Sequence, residues 1–151
     1  LHDRAHDYFE LRQGQESPSM LLVAPVRAEH RLPADGSATG LDKLKVPRST
    51  LPAITHVDCS ARVQTVDPGR NPRLHALMTE FDRRTGCPVL INTSFNVRSE
   101  PIVCTPTDAY RCFMASNIDV LVIEDFVLVK SEQPNAKQHD IDAYLARFNP
   151  D

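Results

Sequence analysis

The sequence predicts an α/β protein, a mixed parallel and antiparallel twisted sheet with flanking helices. Three observations carry this. Val89-Leu90-Ile91 is a continuous apolar run of strand length after Gly86 and Pro88, the pattern of a strand covered on both faces. Segments of strand and helix character follow one another in the order β, ββ, α, β, α, ββ, α. The chain has 151 residues, 41% hydrophobic and 25% charged, enough for one soluble domain with a core of its own.

Taken in order, Leu1, Ala5, Phe9 and Tyr8 predict a short amphipathic helix over residues 1–11. It is expected to continue from an upstream portion, since the chain opens on Leu1 and not on Met. His2 and His6 stand at i and i+4, a spacing that chelates metals, but no third ligand is evident and no metal site is predicted. Met20 to Ala24 reads as a buried strand closed by Pro25. Residues 27–52 turn to Ala, Asp, Gly, Ser, Thr and Pro, a long excursion with little regular structure.

Residues 53–58 and 62–66 predict two short strands joined at Cys59-Ser60. Leu74, Leu77, Met78 and Phe81 recur at i, i+3, i+4 and i+7, predicting a helix over 71–85 with Asn71 as cap, Pro72 in the first turn and Gly86 as stop. Thr105, Pro106 and Asp108 open a second helix with a carboxylate variant of the capping box. It buries Ala109, Cys112 and Phe113. Residues 119–124 and 126–130 form a hairpin or a kinked strand pair, and Ile141, Tyr144, Leu145 and Phe148 make a terminal amphipathic helix.

The formal net charge of -3 argues against a general nucleic-acid binder. The 4 cysteines lack paired C-x-x-C spacing, so reduced thiols are expected in place of a zinc site or a redox dithiol. No apolar run reaches the roughly 18 residues that span a bilayer, and the charged N-terminus is unlike a signal peptide. A cytoplasmic protein without membrane contact is expected.

The strand at 89–91 runs into Asn92, Thr93, Ser94 and Asn96. Ligands in α/β sheets sit outside the carboxyl ends of strands, which makes this polar run a candidate site. Its amides and hydroxyls donate and accept, but none can act as base or nucleophile, so it suits recognition of a polar, uncharged or phosphorylated group. The same residues also favour plain turns.

Four stretches, 17–27, 51–66, 85–113 and 119–130, together resemble the C-terminal region of the NodU/CmcH-type carbamoyltransferases. The block from Asn92-Thr93-Ser94-Phe95-Asn96 through Glu100-Pro101-Ile102 to Thr105-Pro106 is its most specific part. The resemblance assigns residues 1–130 to a carbamoyltransferase C-terminal domain and leaves 131–151 as a helical extension, packed on or trailing that domain. It implies a YrdC-like fold, incomplete at its N-terminus.

It further implies a two-part enzyme in which ATP and carbamoyl phosphate form a carbamoyl adenylate, with Mg2+ beside the nucleotide. An N-terminal ATPase-like domain of the same enzyme is the partner, and a small-molecule hydroxyl acceptor receives the carbamoyl group. The S-x-N half of the adenylate site matches Ser94-Phe95-Asn96. The basic K-x-R half belongs before residue 1, so this chain by itself is expected to be inactive.

Ser94, Asn96 and Arg62 are thus the catalytic candidates, Arg62 as a guanidinium fork for a phosphate or carboxylate or as one half of a structural ion pair. Asn92, Thr93, His56, Asp58 and Arg98 are the substrate or nucleotide-binding candidates. His56 and Asp58, two apart on an expected strand, share a face and either orient substrate or make a structural hydrogen bond. Arg98 and Glu100 flank the turn after the S-x-N and suggest an ordinary surface pair. Two positions depart from the family's pattern: Ser99 stands where Gly is usual, and Glu124-Asp125 where Gly-Asn is common. The first puts the loop geometry in question if positive φ is needed there, and the second weakens a tight hairpin. The alternatives are a non-catalytic module binding nucleotide or RNA, and a purely structural cap for the ATPase-like domain.

Overall fold

The computed structural model describes residues 1–33, 38–97, 100–134, 144 and 146. The chain divides into two compact units, Leu1–Ile91 and Asn92–Asp151, each described by itself.

In the first unit, β1 (Leu22–Pro25) and β2 (Ser60–Val63) form an antiparallel pair, with Leu22 opposite Val63 and Pro25 opposite Ser60. Pro25 lacks a backbone N–H and ends the ladder, as its position suggests. The buried residues Phe9, Ala24, Val26, Ala61 and Val63 make the core, with Tyr8, Leu11, Leu51, Ile54 and Val89 packed against it. The helix expected over 1–11 is a single turn, α1 (Ala5–Tyr8). Beyond it Phe9 turns extended and bridges to Val26, and the Glu10 and Arg27 amides bond to the Pro25 and Tyr8 carbonyls at 2.9 Å each. Pairing with a neighbouring chain segment thus satisfies backbone groups that another helical turn would have served.

Residues 53–58 do not form the expected strand. Pro52–Ile54 is one 3-10 turn, and the Cys59 amide closes on the His56 carbonyl at 3.0 Å with Cys59 at φ 62. The described part of the excursion before it carries short 3-10 turns at Ala28–His30 and Gly40–Lys45 and a bridge between Arg31 and Ser49. Helix α2 (Pro72–Thr85) falls where its periodicity puts it and ends on Gly86 at φ 73, in the left-handed conformation that suits glycine. Asn71 precedes it without a side-chain cap bond. Of its apolar stripe only Met78 is buried, while Leu77 is 60% exposed.

Pro88 is buried and Val89 packs on the core, yet residues 89–91 form no strand and Ile91 is 62% exposed. An apolar run becomes a strand only where a neighbour accepts its ladder, and none is present for this one among the described residues.

In the second unit, α3 (Pro106–Met114) opens with the predicted capping box. Thr105 Oγ1 accepts the Asp108 amide at 3.2 Å, and Asp108 Oδ2 accepts the Thr105 amide at 3.0 Å. The hairpin of β3 (Val120–Ile123) and β4 (Phe126–Val129) is antiparallel, with Val120 opposite Val129 and Ile123 opposite Phe126. Ala109, Phe113, Met114 and Leu121 form the core, joined by Phe95, Val103, Tyr110, Ile123 and Leu128. One face of the hairpin is covered through Leu121, Ile123 and Leu128, while on the other the paired Val122 and Val127 are 62% and 66% exposed. Glu124, first of the two loop residues, sits at φ 54, which a tight primed turn requires and a side chain resists.

The α/β class holds, built from two separate two-stranded antiparallel sheets. Parallel strands and a single mixed sheet are not found among the described residues. Of the expected terminal helix only Tyr144 is described; Ile141, Leu145 and Phe148 lie outside the described residues. No described helix is long and apolar enough to cross a membrane.

Two substitutions test the local chemistry of the second unit. Thr105→Ala should lower stability by about 1 kcal/mol through the lost cap. Glu124→Gly should raise it by about 0.5 to 1 kcal/mol by relieving the positive φ. Chemical denaturation of each variant measures both; a stabilised Thr105→Ala or a destabilised Glu124→Gly contradicts the respective assignment.

Candidate functional site

The polar run begins the second unit. Asn92, Thr93 and Ser94 lie exposed in irregular chain, and the Thr93 and Ser94 hydroxyls make no hydrogen bond among the described residues. Phe95 packs against the core while its carbonyl accepts the Val103 amide at 3.0 Å, closing the base of a loop over residues 95–103. The aromatic anchor leaves Ser94 outside and turns Asn96 inward. Asn96 Nδ2 donates to the Val97 and Glu100 carbonyls at 3.2 and 2.8 Å, so both amide protons are committed and Oδ1 is left for recognition.

Glu100 is the half-buried centre of this loop. Its Oε2 accepts the Val97 amide at 3.0 Å, its amide bonds back to the Val97 carbonyl at 3.0 Å, and its Oε1 accepts the Tyr144 hydroxyl. Arg98 and Ser99 lie outside the described residues, so the role expected of each is not placed. Cys112, 1% exposed, faces the same carboxylate; burial first and the Glu100 charge second push its thiol up to about 11. Burial and the bond to Glu100 likewise push Tyr144 up to about 12. The signal for this in the sequence was the four-residue step from Asn96 to Glu100, which suits a loop closed on itself.

In the first unit His56 and Asp58 do meet, but across a turn and not on one strand face. Both converge on Ser60. The Ser60 hydroxyl donates to Asp58 Oδ1 at 2.7 Å, its amide donates to the same oxygen at 3.0 Å, and its Oγ lies 2.9 Å from His56 Nδ1. These bonds hold the Asp58 carboxyl below the usual carboxylate range, with the Ser60 hydroxyl as the largest cause. The Ser60 proton is committed to Asp58, so His56 Nδ1 is the donor to Oγ and does not serve as base for a serine nucleophile. The structural alternative for this pair is the one the geometry favours. The Asp-x-Ser sequence, able to close an Asx turn, was its signal.

Arg62 projects from the exposed side of β2. Its Nη2 contacts Met20 Sδ at 3.3 Å, and no carboxylate among the described residues pairs with it, which removes the ion-pair alternative. Its guanidinium fork stays open to an anion.

Glu100→Ala should destabilise the protein by about 1 to 3 kcal/mol, since the Val97 amide and Tyr144 hydroxyl lose their acceptor. Alkylation of Cys112 by iodoacetamide should quicken in that variant, as the neighbouring negative charge is gone. Raised thiol and phenol values mean the folded state binds more protons than the unfolded one between about pH 9 and 12, so stability falls as pH rises through this window. Denaturation profiles across it, with Cys112→Ala for comparison, check the sign. A profile flat in both proteins contradicts the burial of these groups.

The chain is similar to known proteins over most of its length. Residues 1–130 match the family described as Carbamoyltransferase C-terminus. An uncharacterized protein of Synechocystis sp. is 57% identical over 141 residues, 91% of this chain and 23% of that protein. Nodulation protein NolNO of Sinorhizobium fredii is 37% identical over 131 residues, 86% of this chain and 17% of its own. The 3'-hydroxymethylcephem-O-carbamoyltransferase of Amycolatopsis lactamdurans is 40% identical over 77 residues, 51% of this chain and 15% of its own. The chain thus spans less than a quarter of the length of these relatives. With the match running through both units and the whole polar loop, this chain belongs to the carbamoyltransferase C-terminus family, of the NodU/CmcH type.

Proposed function

We propose that the chain contributes the S-x-N half of a carbamoyl-adenylate site in an ATP-dependent O-carbamoyltransferase. In the proposed reaction the carbamoyl oxygen becomes bonded to the α-phosphorus of ATP, with pyrophosphate and phosphate released and one water consumed. The carbamoyl group then passes to a hydroxyl of a small acceptor held by an N-terminal ATPase-like domain of the same enzyme.

The observation that carries this reading is the pairing of a free exposed Ser94 hydroxyl with an Asn96 whose orientation is locked by Val97 and Glu100. Ser94 serves as a donor to a phosphate or carbamoyl oxygen, and Asn96 Oδ1 as an acceptor for the carbamoyl NH2. The loop is set before substrate arrives, so little ordering is needed on binding. Asn92 and Thr93 add contacts on the exposed side of the same run. Arg62, in the first unit, is proposed separately as a phosphate contact, and Arg98 is assigned a similar role through the family resemblance.

Mg2+ fits as a companion of the triphosphate. Asp58 has one oxygen committed to Ser60, and the polar run itself has no carboxylate, so the ion is held mainly by the nucleotide. Its chemistry is to neutralise phosphate charge. The apolar hairpin face at Val122 and Val127, exposed to solvent, is a surface on which further chain of a larger YrdC-like domain would pack.

Ser94→Ala and Asn96→Ala in the intact enzyme should each lower carbamoyl-phosphate-dependent pyrophosphate exchange into ATP by about tenfold or more. Only Asn96→Ala should also lower the melting temperature, because it alone holds the loop. Exchange unchanged in both variants refutes the assignment.

Arg62→Lys should weaken ATP binding nearly as much as Arg62→Ala, because a point charge does not reproduce two parallel bonds. Calorimetry checks this. Full rescue by Lys refutes the fork.

A further inference from the structure

Two separated stretches of the first unit bring three metal-ligating side chains together. His2, Asp3 and His75 each present one ligand atom, and these atoms all lie within 4.8 Å of one another. Backbone bonds put them there. The His2 amide donates to the Val66 carbonyl at 3.1 Å, tying the start of the chain to the segment after β2, and the His75 amide donates to the Asn71 carbonyl at 2.9 Å in the opening of α2.

The three groups meet without satisfying one another. His2 Nδ1 is out of solvent with no hydrogen-bond partner, and Asp3 Oδ1 stands 3.9 Å from it, beyond hydrogen-bond range. Burying a ring nitrogen unpaired is unfavourable unless something else takes its lone pair. Asp67, whose Oδ1 caps the Gly69 and Arg70 amides, adds a second carboxylate within electrostatic reach of His2. The other oxygen of Asp67 is already paired with Arg70 Nη1 at 3.0 Å, so Asp3 is the carboxylate left for a bound cation.

We propose that His2, Asp3 and His75 form a binding site for a transition-metal dication, with zinc the best match. Two imidazoles and one carboxylate are borderline ligands that suit zinc and its neighbours, whereas Mg2+ and Ca2+ take oxygen. Tetrahedral zinc, with bonds of about 2.0 to 2.1 Å, sets its ligand atoms about 3.3 Å apart. Torsions of partly exposed side chains cover the difference from the present spacing. Three protein ligands leave water in the fourth position. The ion fastens the first residues to α2 and uses none of the residues of the polar loop or of the His56–Ser60 turn.

The test is calorimetric titration of the intact protein with zinc chloride, and with cobalt(II) followed by visible absorption. His75→Ala, His75→Gln and Asp3→Asn are run beside it, with circular dichroism for folding. Expected are micromolar binding, a cobalt spectrum free of thiolate charge-transfer bands for the equivalent in question, and loss of one bound equivalent in the variants. Thermal unfolding should shift upward with zinc in the parent and by much less in the variants. If His75→Ala does not fold, His75→Gln and Asp3→Asn carry the comparison. Zinc binding that persists undiminished in the variants, a thiolate band that disappears with no histidine substitution, or no binding at all overturns the site.

Discussion

The second unit depends on how one carboxylate is satisfied. Glu100 accepts the Val97 amide and the Tyr144 hydroxyl, while its own backbone closes on Val97 and receives the Asn96 side chain. A half-buried carboxylate is tolerable only with such donors around it. Residues 95–97 and 100–103 are thus tied to one another, with Phe95 anchored on the core and Ser94 exposed beside it.

The same economy explains the His56–Ser60 turn. There a serine, an aspartate and a histidine lie within hydrogen-bond distance, yet the proton direction runs from Ser60 to Asp58 and leaves the hydroxyl oxygen as acceptor for the imidazole. Composition alone resembles a nucleophilic triad; the direction of the bonds excludes it. The turn instead fixes the entry to β2, from which Arg62 projects with its guanidinium free of carboxylates among the described residues.

Both β ladders are two strands wide, and a two-stranded ribbon is marginal by itself in water. Each is supported on one face, β1 and β2 by Phe9 and Val26, β3 and β4 by Phe113 and Met114. The opposite faces keep apolar side chains in solvent, Val23 on one ribbon and Val122 and Val127 on the other. A cleft of about 650 Å3 in the second unit is lined by Tyr110, Leu121, Phe126 and Leu128 among others. None of the candidate polar residues lines it. The relatives are more than four times longer than the matched stretch, and such surfaces are what a shared region of a larger protein presents.

Local chemistry was legible in the sequence where neighbours along the chain decide the outcome. Helix α2 between Pro72 and Gly86, the capping box of Thr105 and Asp108 and the stop at Pro25 all follow from propensities and hydrogen bonds within a few residues, whereas Glu124-Asp125 left the hairpin open against a kinked strand pair. The polar run at 92–96 was visible as a cluster of turn-forming amides and hydroxyls, and its match to an S-x-N element came from the family resemblance alone. What distant segments supply was not legible. Val89 to Ile91 has the composition of a strand but no partner ladder, Phe9 left its helix to bridge Val26, and residues 53–56 lost their strand to a turn closed at Cys59. Glu100 looked like a surface charge until Tyr144, 44 residues on, and Cys112 were placed beside it. Periodicity reports which face of an element is apolar, whereas only tertiary structure determines what meets that face and which donor reaches a given carboxylate.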